Sequence, residues 1–222
     1  MHIDVPTVVG AVVRSVETRL HDGREAKVVI AARDYDTDIE DLWDALTSQE
    51  RIPRWFLPIS GDLRLGGRYQ LQGNAGGTIT RCEPPRAVGM TWEYGGQTTW
   101  VEVRLNATSN ERTHLELEHI ALVPDKMWDE FGPGAVGVGW DMALMGLARH
   151  IETGAANDPR ESMAWVGSEN GKAFARAASD DWCRASIAAG TDEHAAKAAA
   201  ARTTVAYTGA GDESTATRSP AT

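Results

Sequence analysis

Short hydrophobic runs separated by turn residues fill the middle of the chain. In one of these runs Val101, Val103 and Leu105 alternate with Glu102 and Arg104. Successive residues of a strand point to opposite faces of a sheet, so this alternation predicts a strand with one apolar and one solvated face. Glycine, proline and asparagine recur between the runs, which is typical of an antiparallel meander.

The last run of the meander carries a histidine on its apolar face. Leu115, Leu117 and His119 alternate with Glu116 and Glu118. We therefore predict that the two glutamates lie on the solvated face of the sheet. His119 is either a hydrogen-bonded core histidine or a polar anchor or general base in a pocket, since imidazole titrates near neutral pH.

A hairpin and two short helices precede the meander. Asp22-Gly23 lies between two β-prone runs, and Asp-Gly favours the type I′ turn of a hairpin. Thr37 with Glu40 three residues later forms a capping box, and apolar residues at helical spacing follow it. We predict two short helices over roughly residues 38–56.

A long helix that could cover the apolar face of the sheet is predicted after Pro133. Proline suits the first turn of a helix, and Gly154 suits its end. Glycines inside the helix disfavour it, so we interpret them as sites of close packing against the sheet. The apolar stripe consists of Val136, Trp140, Leu144, Leu147 and Ile151.

Alanine and helix-capping residues dominate the rest of the chain. They predict two or three short helices, and the apolar Phe174 and Trp182 indicate that these helices dock on the main domain. Small and polar residues dominate the C-terminal tail, where we expect disorder. We therefore divide the chain into a domain over residues 1–154, a helical appendix over 155–208 and a tail over 209–222.

Composition and charge exclude several classes of function. The chain has 222 residues, a net charge of −10 and no apolar run long enough to cross a membrane. Such an acidic chain repels nucleic acid at long range, so we expect no nucleic-acid partner. Cys82 and Cys183 lack metal-site spacing and the histidines form no zinc motif, so we expect no metal and no cofactor. With no secretory pattern at the N-terminus, a cytoplasmic location is predicted.

Seven short pieces of sequence resemble one protein family in the same order. Residues 36–154 are similar to the SRPBCC superfamily, in its branch of activator of heat-shock-protein-90 ATPase homologue-like domains, which includes bacterial polyketide-cyclase-like proteins. The resemblance implies an α+β helix-grip fold: a curved antiparallel sheet of about six or seven strands around a long C-terminal helix, with two short helices after the first strand. The matching pieces are Leu42-Trp43-Asp44-Ala45-Leu46-Thr47, Arg54-Trp55-Phe56, Leu65-Gly66-Gly67-Arg68-Tyr69, Cys82-Glu83-Pro84-Pro85, Thr91-Trp92, Leu115-Glu116-Leu117-Glu118-His119 and Gly139-Trp140.

The resemblance also implies a cavity between the sheet and the long helix. In this superfamily such cavities hold apolar molecules, so we expect a small apolar or amphipathic ligand, with His119 or Tyr69 orienting one of its polar groups. Plain core packing is the alternative for the aromatic residues. The predicted ligand-binding residues are Trp55, Phe56, Tyr69, Leu71, Trp92, Val103, Leu117, His119, Trp140 and Leu144.

Three functions fit this resemblance. The first is ligand binding without catalysis, and the second is a cyclase- or hydrolase-like enzyme that uses His119 as a base. The third is a chaperone accessory, whose partner would be heat-shock protein 90, and a homodimer is an alternative assembly. Asp141 follows Trp140 directly, and we predict for it a surface or capping role, with a place at the pocket mouth as the alternative.

Overall fold

The computed structural model describes residues 2–209, which form an eight-stranded sheet and eight helices. The strands are β1 Val13–His21, β2 Arg24–Tyr35, β3 Ile59–Gly61, β4 Arg68–Leu71, β5 Gly76–Glu83, β6 Ala87–Tyr94, β7 Gln97–Ser109 and β8 Arg112–Leu122. The helices are α1 Val5–Gly10, α2 Ile39–Thr47, α3 Ile52–Trp55, α4 Lys126–Phe131, α5 Gly134–Thr153, α6 Pro159–Val166, α7 Glu169–Ala188 and α8 Glu193–Thr208.

The sheet is antiparallel throughout, in the order β1-β2-β8-β7-β6-β5-β4-β3. The hairpin predicted at Asp22-Gly23 joins β1 and β2, and both turn residues have positive φ, as a type I′ turn requires. The register pairs His119 of β8 with Val29 of β2 and with Val101 of β7. These three residues therefore share the inner face of the sheet, which packs against α5.

The sheet has more strands than the six or seven predicted. A three-residue edge strand, β3, pairs with β4 just before the predicted run Leu63–Leu65. That run is a turn instead, in which the Asp62 carboxylate accepts hydrogen bonds from the backbone and the guanidinium of Arg64. Asp side chains commonly stabilise turns in this way.

The first of the two short helices begins one residue later than the capping box predicted. The N-cap is Asp38, whose carboxylate accepts a hydrogen bond from the Asp41 backbone N–H. Thr37 instead donates its hydroxyl to the Asp41 carboxylate. Threonine and aspartate are both good caps, so the sequence alone does not choose between adjacent candidates.

The outer face of the sheet is dry at Glu118, contrary to prediction. This glutamate is 3% exposed, because Arg19 of β1 and Arg104 of β7 cover it with ion pairs. Burial pushes the pKa of Glu118 up, but the hydrogen bonds from the two arginines outweigh it and hold the pKa below its ordinary value. The alternation correctly predicted that Glu118 lies on the outer face, but it did not predict that arginines from neighbouring strands cover this residue.

The helical appendix docks on α5 through a buried polar cluster. Asp141 of α5 is 1% exposed, so its predicted surface or capping role is wrong. Its Oδ2 accepts hydrogen bonds from Arg14 Nε at 3.1 Å and from Trp182 Nε1 of α7 at 3.0 Å. Burial raises the pKa of Asp141 to about 6, against the opposing effect of Arg14.

Close approach also explains two of the helix glycines. A Cβ at Gly137 would lie 2.3 Å from the Trp182 ring, so the appendix, not the sheet, requires this glycine. A Cβ at Gly146 would lie 2.6 Å from the backbone oxygen of Trp55 in α3. The predicted close packing is present at both positions, but its partners are helices.

The helices of the appendix extend over residues 159–208, and α5 ends at Gly154 in the left-handed conformation. The tail predicted for residues 209–222 lies outside the described residues from 210 onwards. Cys82 and Cys183 are free thiols. Among residues 2–209, no helix is both long and apolar enough to cross a membrane.

Candidate ligand cavity

A cavity of about 600 Å³ lies between the sheet and the N-terminal half of α5. We call it the outer cavity. Its sheet wall includes Lys27, Val29, Trp92, Thr99, His119 and Ala121. Its helical wall includes Trp128 of α4, Ala135, Val136, Gly139 and Trp140 of α5, and Tyr207 of α8.

Three aromatic side chains form the inner boundary of the outer cavity. Phe56, Trp92 and Trp140 line this cavity and also a second, smaller one behind it. The Phe56 and Trp140 rings stack with centroids 6.4 Å apart, and the Trp92 and Trp140 rings lie 5.1 Å apart at 60°. These separations suit attractive aromatic contacts, so we treat the three residues as one aromatic partition.

The inner cavity behind the partition has a volume of only about 100 Å³. Trp55, Tyr69 and Leu71, all of them buried, contribute to its wall. The polar tips of the two aromatic residues are satisfied by the protein: Trp55 Nε1 donates to the Ala45 carbonyl and the Tyr69 hydroxyl donates to the Thr91 carbonyl. This space is close to a packed core.

His119 is the buried titratable group of the outer cavity. Its Nδ1 accepts a hydrogen bond from Trp140 Nε1 at 3.1 Å. Burial lowers the pKa of His119 to about 4, so the ring is neutral at pH 7. A neutral imidazole that accepts at Nδ1 carries its proton at Nε2, and no described residue bonds to that nitrogen. His119 therefore presents a hydrogen-bond donor.

Lys27 and Asp125 are the charged residues among the described cavity walls. Lys27 Nζ donates to the Thr18 hydroxyl at 2.8 Å and has no carboxylate partner within 4.0 Å. Asp125 caps α4, with its carboxylate accepting from the backbone N–H of Met127 at 2.9 Å. Across residues 2–209, no cluster of His, Cys, Asp and Glu is arranged to hold a metal ion.

The family model for "Activator of Hsp90 ATPase homolog 1-like protein" matches residues 36–152, more than half of the chain. The chain belongs to this family. The resemblance seen in the sequence is thereby confirmed, and so is the predicted helix-grip fold. Two elements of the cavity wall, β2 with Lys27 and α8 with Tyr207, lie outside the matched residues.

Solved structures similar to this activator-like domain include CalU16 from Micromonospora echinospora. The CalU16 crystal structure is 38% identical, covers 76% of this chain and 98% of its own, and has a TM-score of 0.57. The solution structure of CalU16 is 36% identical, covers 81% and 97%, and has a TM-score of 0.66. Protein MLL2253 from Mesorhizobium loti is 22% identical, covers 56% and 96%, and shares the fold with a TM-score of 0.51. No curated protein matches the chain.

The structure distributes the ten predicted ligand-binding residues over three places. Phe56, Trp92, His119 and Trp140 line the outer cavity, and Trp55, Tyr69, Leu71, Val103 and Leu117 line the inner one. Leu144 is 2% exposed and lines neither cavity. Contact of any of these residues with a ligand stays a prediction.

Several wall residues escaped the sequence analysis. Lys27 and Val29 are two residues apart on β2, so they share its inward face, and Val29 pairs with His119 of β8. The two-residue period of a strand was therefore a usable signal. Tyr207 had no such signal, since α8 reaches the cavity only through the packing of the appendix. The Tyr207 hydroxyl donates to the Ala135 carbonyl at 3.3 Å, which holds the end of α8 against α5.

Proposed function

We propose that this activator-like domain binds a small apolar or amphipathic molecule in the outer cavity and acts as a binding protein. The observation that carries the proposal is the cavity of about 600 Å³ with a largely aromatic and aliphatic wall. Ligand sites in proteins commonly have volumes of roughly 300–1,000 Å³, apolar walls and a few polar groups that fix orientation.

The aromatic partition sets how deep such a ligand would reach. Phe56, Trp92 and Trp140 present ring surfaces to the outer cavity, and only about 100 Å³ lies behind them. A ligand with a flat apolar body would stack on these rings and gain from burial at roughly 25 cal/mol per Å² before entropic costs. The guest is therefore assigned to the outer cavity alone.

His119 supports binding better than it supports catalysis. A general base needs a free lone pair and a pKa near the working pH. Nδ1 of His119 is already bonded to Trp140, and burial lowers the pKa to about 4. Nε2–H remains as a donor to a carbonyl or hydroxyl oxygen of the ligand, so His119 acts as an anchor.

Native mass spectrometry of the protein purified from its own host tests for a co-purifying ligand. Two tryptophan variants complete the test. Ala135→Trp places an indole in the cavity and blocks it, whereas Ala201→Trp, the control, adds the same side chain at an exposed position of α8. We expect the additional mass to disappear in the first variant and to persist in the second. Retention of the ligand by a folded Ala135→Trp protein would contradict the proposal.

Three parts of the sequence interpretation stay predictions beside this proposal. A cytoplasmic location and a homodimer are compatible with a binding protein, and size-exclusion chromatography with light scattering measures the latter. A chaperone accessory role is tested by ATP-dependent capture of the host's heat-shock protein 90. Ala135→Trp should not weaken that capture, because the chaperone would use the surface and not the cavity.

A further inference from the structure

We propose that the guest of the outer cavity carries a single negative charge, a carboxylate, and that Lys27 binds this group. This inference rests on the proposed ligand-binding function and names the class of its ligand: an apolar body with an acidic group.

The strand register places Lys27 beside His119 on one wall of the cavity. Lys27 of β2 pairs with Ala121 of β8, and the next inward pair along these strands is Val29 with His119. Lys27 and His119 are thus diagonal neighbours, for which the backbone separation is roughly 7–8 Å. The ammonium and the His119 Nε2–H are two donors on the same sheet wall, opposite the apolar helical wall.

Lys27 is the one basic residue among the described walls of this cavity, on a chain of net charge −10. Several basic side chains elsewhere on the sheet have acidic partners: Arg19 and Arg104 pair with Glu118, and Arg68 pairs with Glu93 at 2.8 Å. Arg33 of β2 has none, but it does not line this cavity. Lys27 has only the Thr18 hydroxyl, at 2.8 Å. A half-buried cation with no anion beside it is where an anionic ligand gains most from charge-assisted hydrogen bonding.

The acidic residue of the cavity wall does not neutralise Lys27. Asp125 directs its carboxylate to the backbone N–H groups of Met127 and Trp128 at the start of α4. One ammonium balances one negative charge, so a carboxylate fits better than a phosphate monoester, which carries nearly two charges at pH 7. The apolar body of the ligand then lies on the aromatic partition, and its acidic group lies at Lys27.

Three probes with the same aromatic body test the charge preference: 1-pyrenebutyric acid, 1-pyrenebutanol and 1-pyrenebutylamine. Pyrene accepts excitation energy from tryptophan, and Trp92, Trp128 and Trp140 line the cavity, so quenching of tryptophan emission reports binding. We expect the acid to bind about tenfold more tightly than the alcohol, as for one hydrogen bond to a charged group, and the amine to bind most weakly.

Two lysine variants separate direct contact from the general field of the protein. Lys27→Met should abolish the preference for the acid and leave the alcohol's affinity within about twofold, because the apolar walls are unchanged. Lys126→Met removes an exposed charge from α4 near the same cavity and should keep the preference. Variants are compared at one ionic strength, since salt screens exposed charges.

The outcomes distinguish the two proposals. Equal binding of acid and alcohol, or an acid preference that survives in Lys27→Met, would overturn the role of Lys27 while ligand binding stands. Failure of all three probes to bind the wild-type protein, together with no co-purified ligand, would overturn the binding function and this inference with it.

Discussion

The two ends of the space between the sheet and α5 differ in the side chains that the helix presents. Near its start α5 lines the outer cavity with Ala135, Val136 and Gly139. Towards its other end Leu144 and Leu147 are at most 2% exposed, and neither lines a described cavity. One helix on one sheet thus leaves room at one end and packs a core at the other.

Polar groups follow the same division. At the packed end the Tyr35 hydroxyl donates to the Leu144 carbonyl, and burial raises the pKa of Tyr35 well above its ordinary value. At the open end His119 Nε2 has no bond from any described residue, and Lys27 has no acidic partner. Polar groups that have no partner within the protein are the ones available to a ligand. The packed end therefore contributes to stability, whereas the open end provides the groups for binding.

The largest expected effect comes from truncating the packed end. Leu147→Ala removes a fully buried side chain and should lower the free energy of unfolding by about 2–5 kcal/mol, because a cavity forms where none exists. Val136→Ala at the open end should cost less than about 1 kcal/mol, since the methyl groups removed already face empty space. Urea unfolding of both variants measures the difference.

The comparison fails if the two substitutions cost the same. A large loss at Val136 would mean that the open end is closed by packing in solution. Ala201→Gly, at an exposed position of α8, is the control. It changes no core contact and should lower the free energy of unfolding by about 1 kcal/mol through helix propensity alone.

Much of the fold was predictable because periodicity is set by burial on one face. Val101 and Leu117 alternate inward as predicted, and the stripe through Trp140 and Leu147 faces the sheet side of α5. The miss at Glu118 has a physical cause: its burial depends on arginines from two other strands, which no local pattern contains.

The site was predictable only where it shares residues with the core. Trp92 and Trp140 belong to the sheet and helix patterns, so they were found together with His119. Tyr207 and Asp141 depend on how the appendix docks, and docking is determined by contacts between residues far apart in the chain. Glycine at 137 signalled close packing, but the sequence did not indicate that Trp182 was the neighbour.

Lowering the pH should reduce the free energy of unfolding through His119, which lies at the open end. Its pKa is about 4 in the folded protein and 6.5 ordinarily, so its contribution to stability is present above pH 6.5 and is lost as the pH falls towards 4. At about 1.4 kcal/mol per pKa unit, wild-type protein should lose about 2–3 kcal/mol more than His119→Gln between pH 7 and pH 4. Urea unfolding at several pH values measures this.

His194→Gln serves as the matched control, since His194 is exposed on α8. This variant should follow the wild-type pH dependence. Parallel curves for wild type and His119→Gln would contradict the buried, neutral state of His119.

Adding one methyl group to α5 compares the appendix interface with the cavity. Gly137→Ala should lower stability by about 1–3 kcal/mol, because the new Cβ would lie 2.3 Å from the Trp182 ring. At Gly139 a new Cβ would lie 3.3 Å from the Tyr207 hydroxyl, and the gain in helix propensity is about 1 kcal/mol. Thermal unfolding should therefore place Gly139→Ala at or above the wild-type midpoint and Gly137→Ala below it.

The smallest expected effect concerns the tautomer of His119. Trp140→Phe keeps an aromatic ring in the partition but removes the N–H that Nδ1 of His119 accepts. Donation to Nδ1 favours the neutral ring, so its loss should raise the pKa of His119 by less than about one unit and allow the proton onto Nδ1. Nitrogen-15 NMR of the imidazole resolves both changes.

Trp92→Phe is the control, because the Trp92 ring lies 6.3 Å from the His119 ring and donates no hydrogen bond to it. If both variants shifted the His119 nitrogens alike, ring packing and not the Trp140 hydrogen bond would fix the donor that the open end presents.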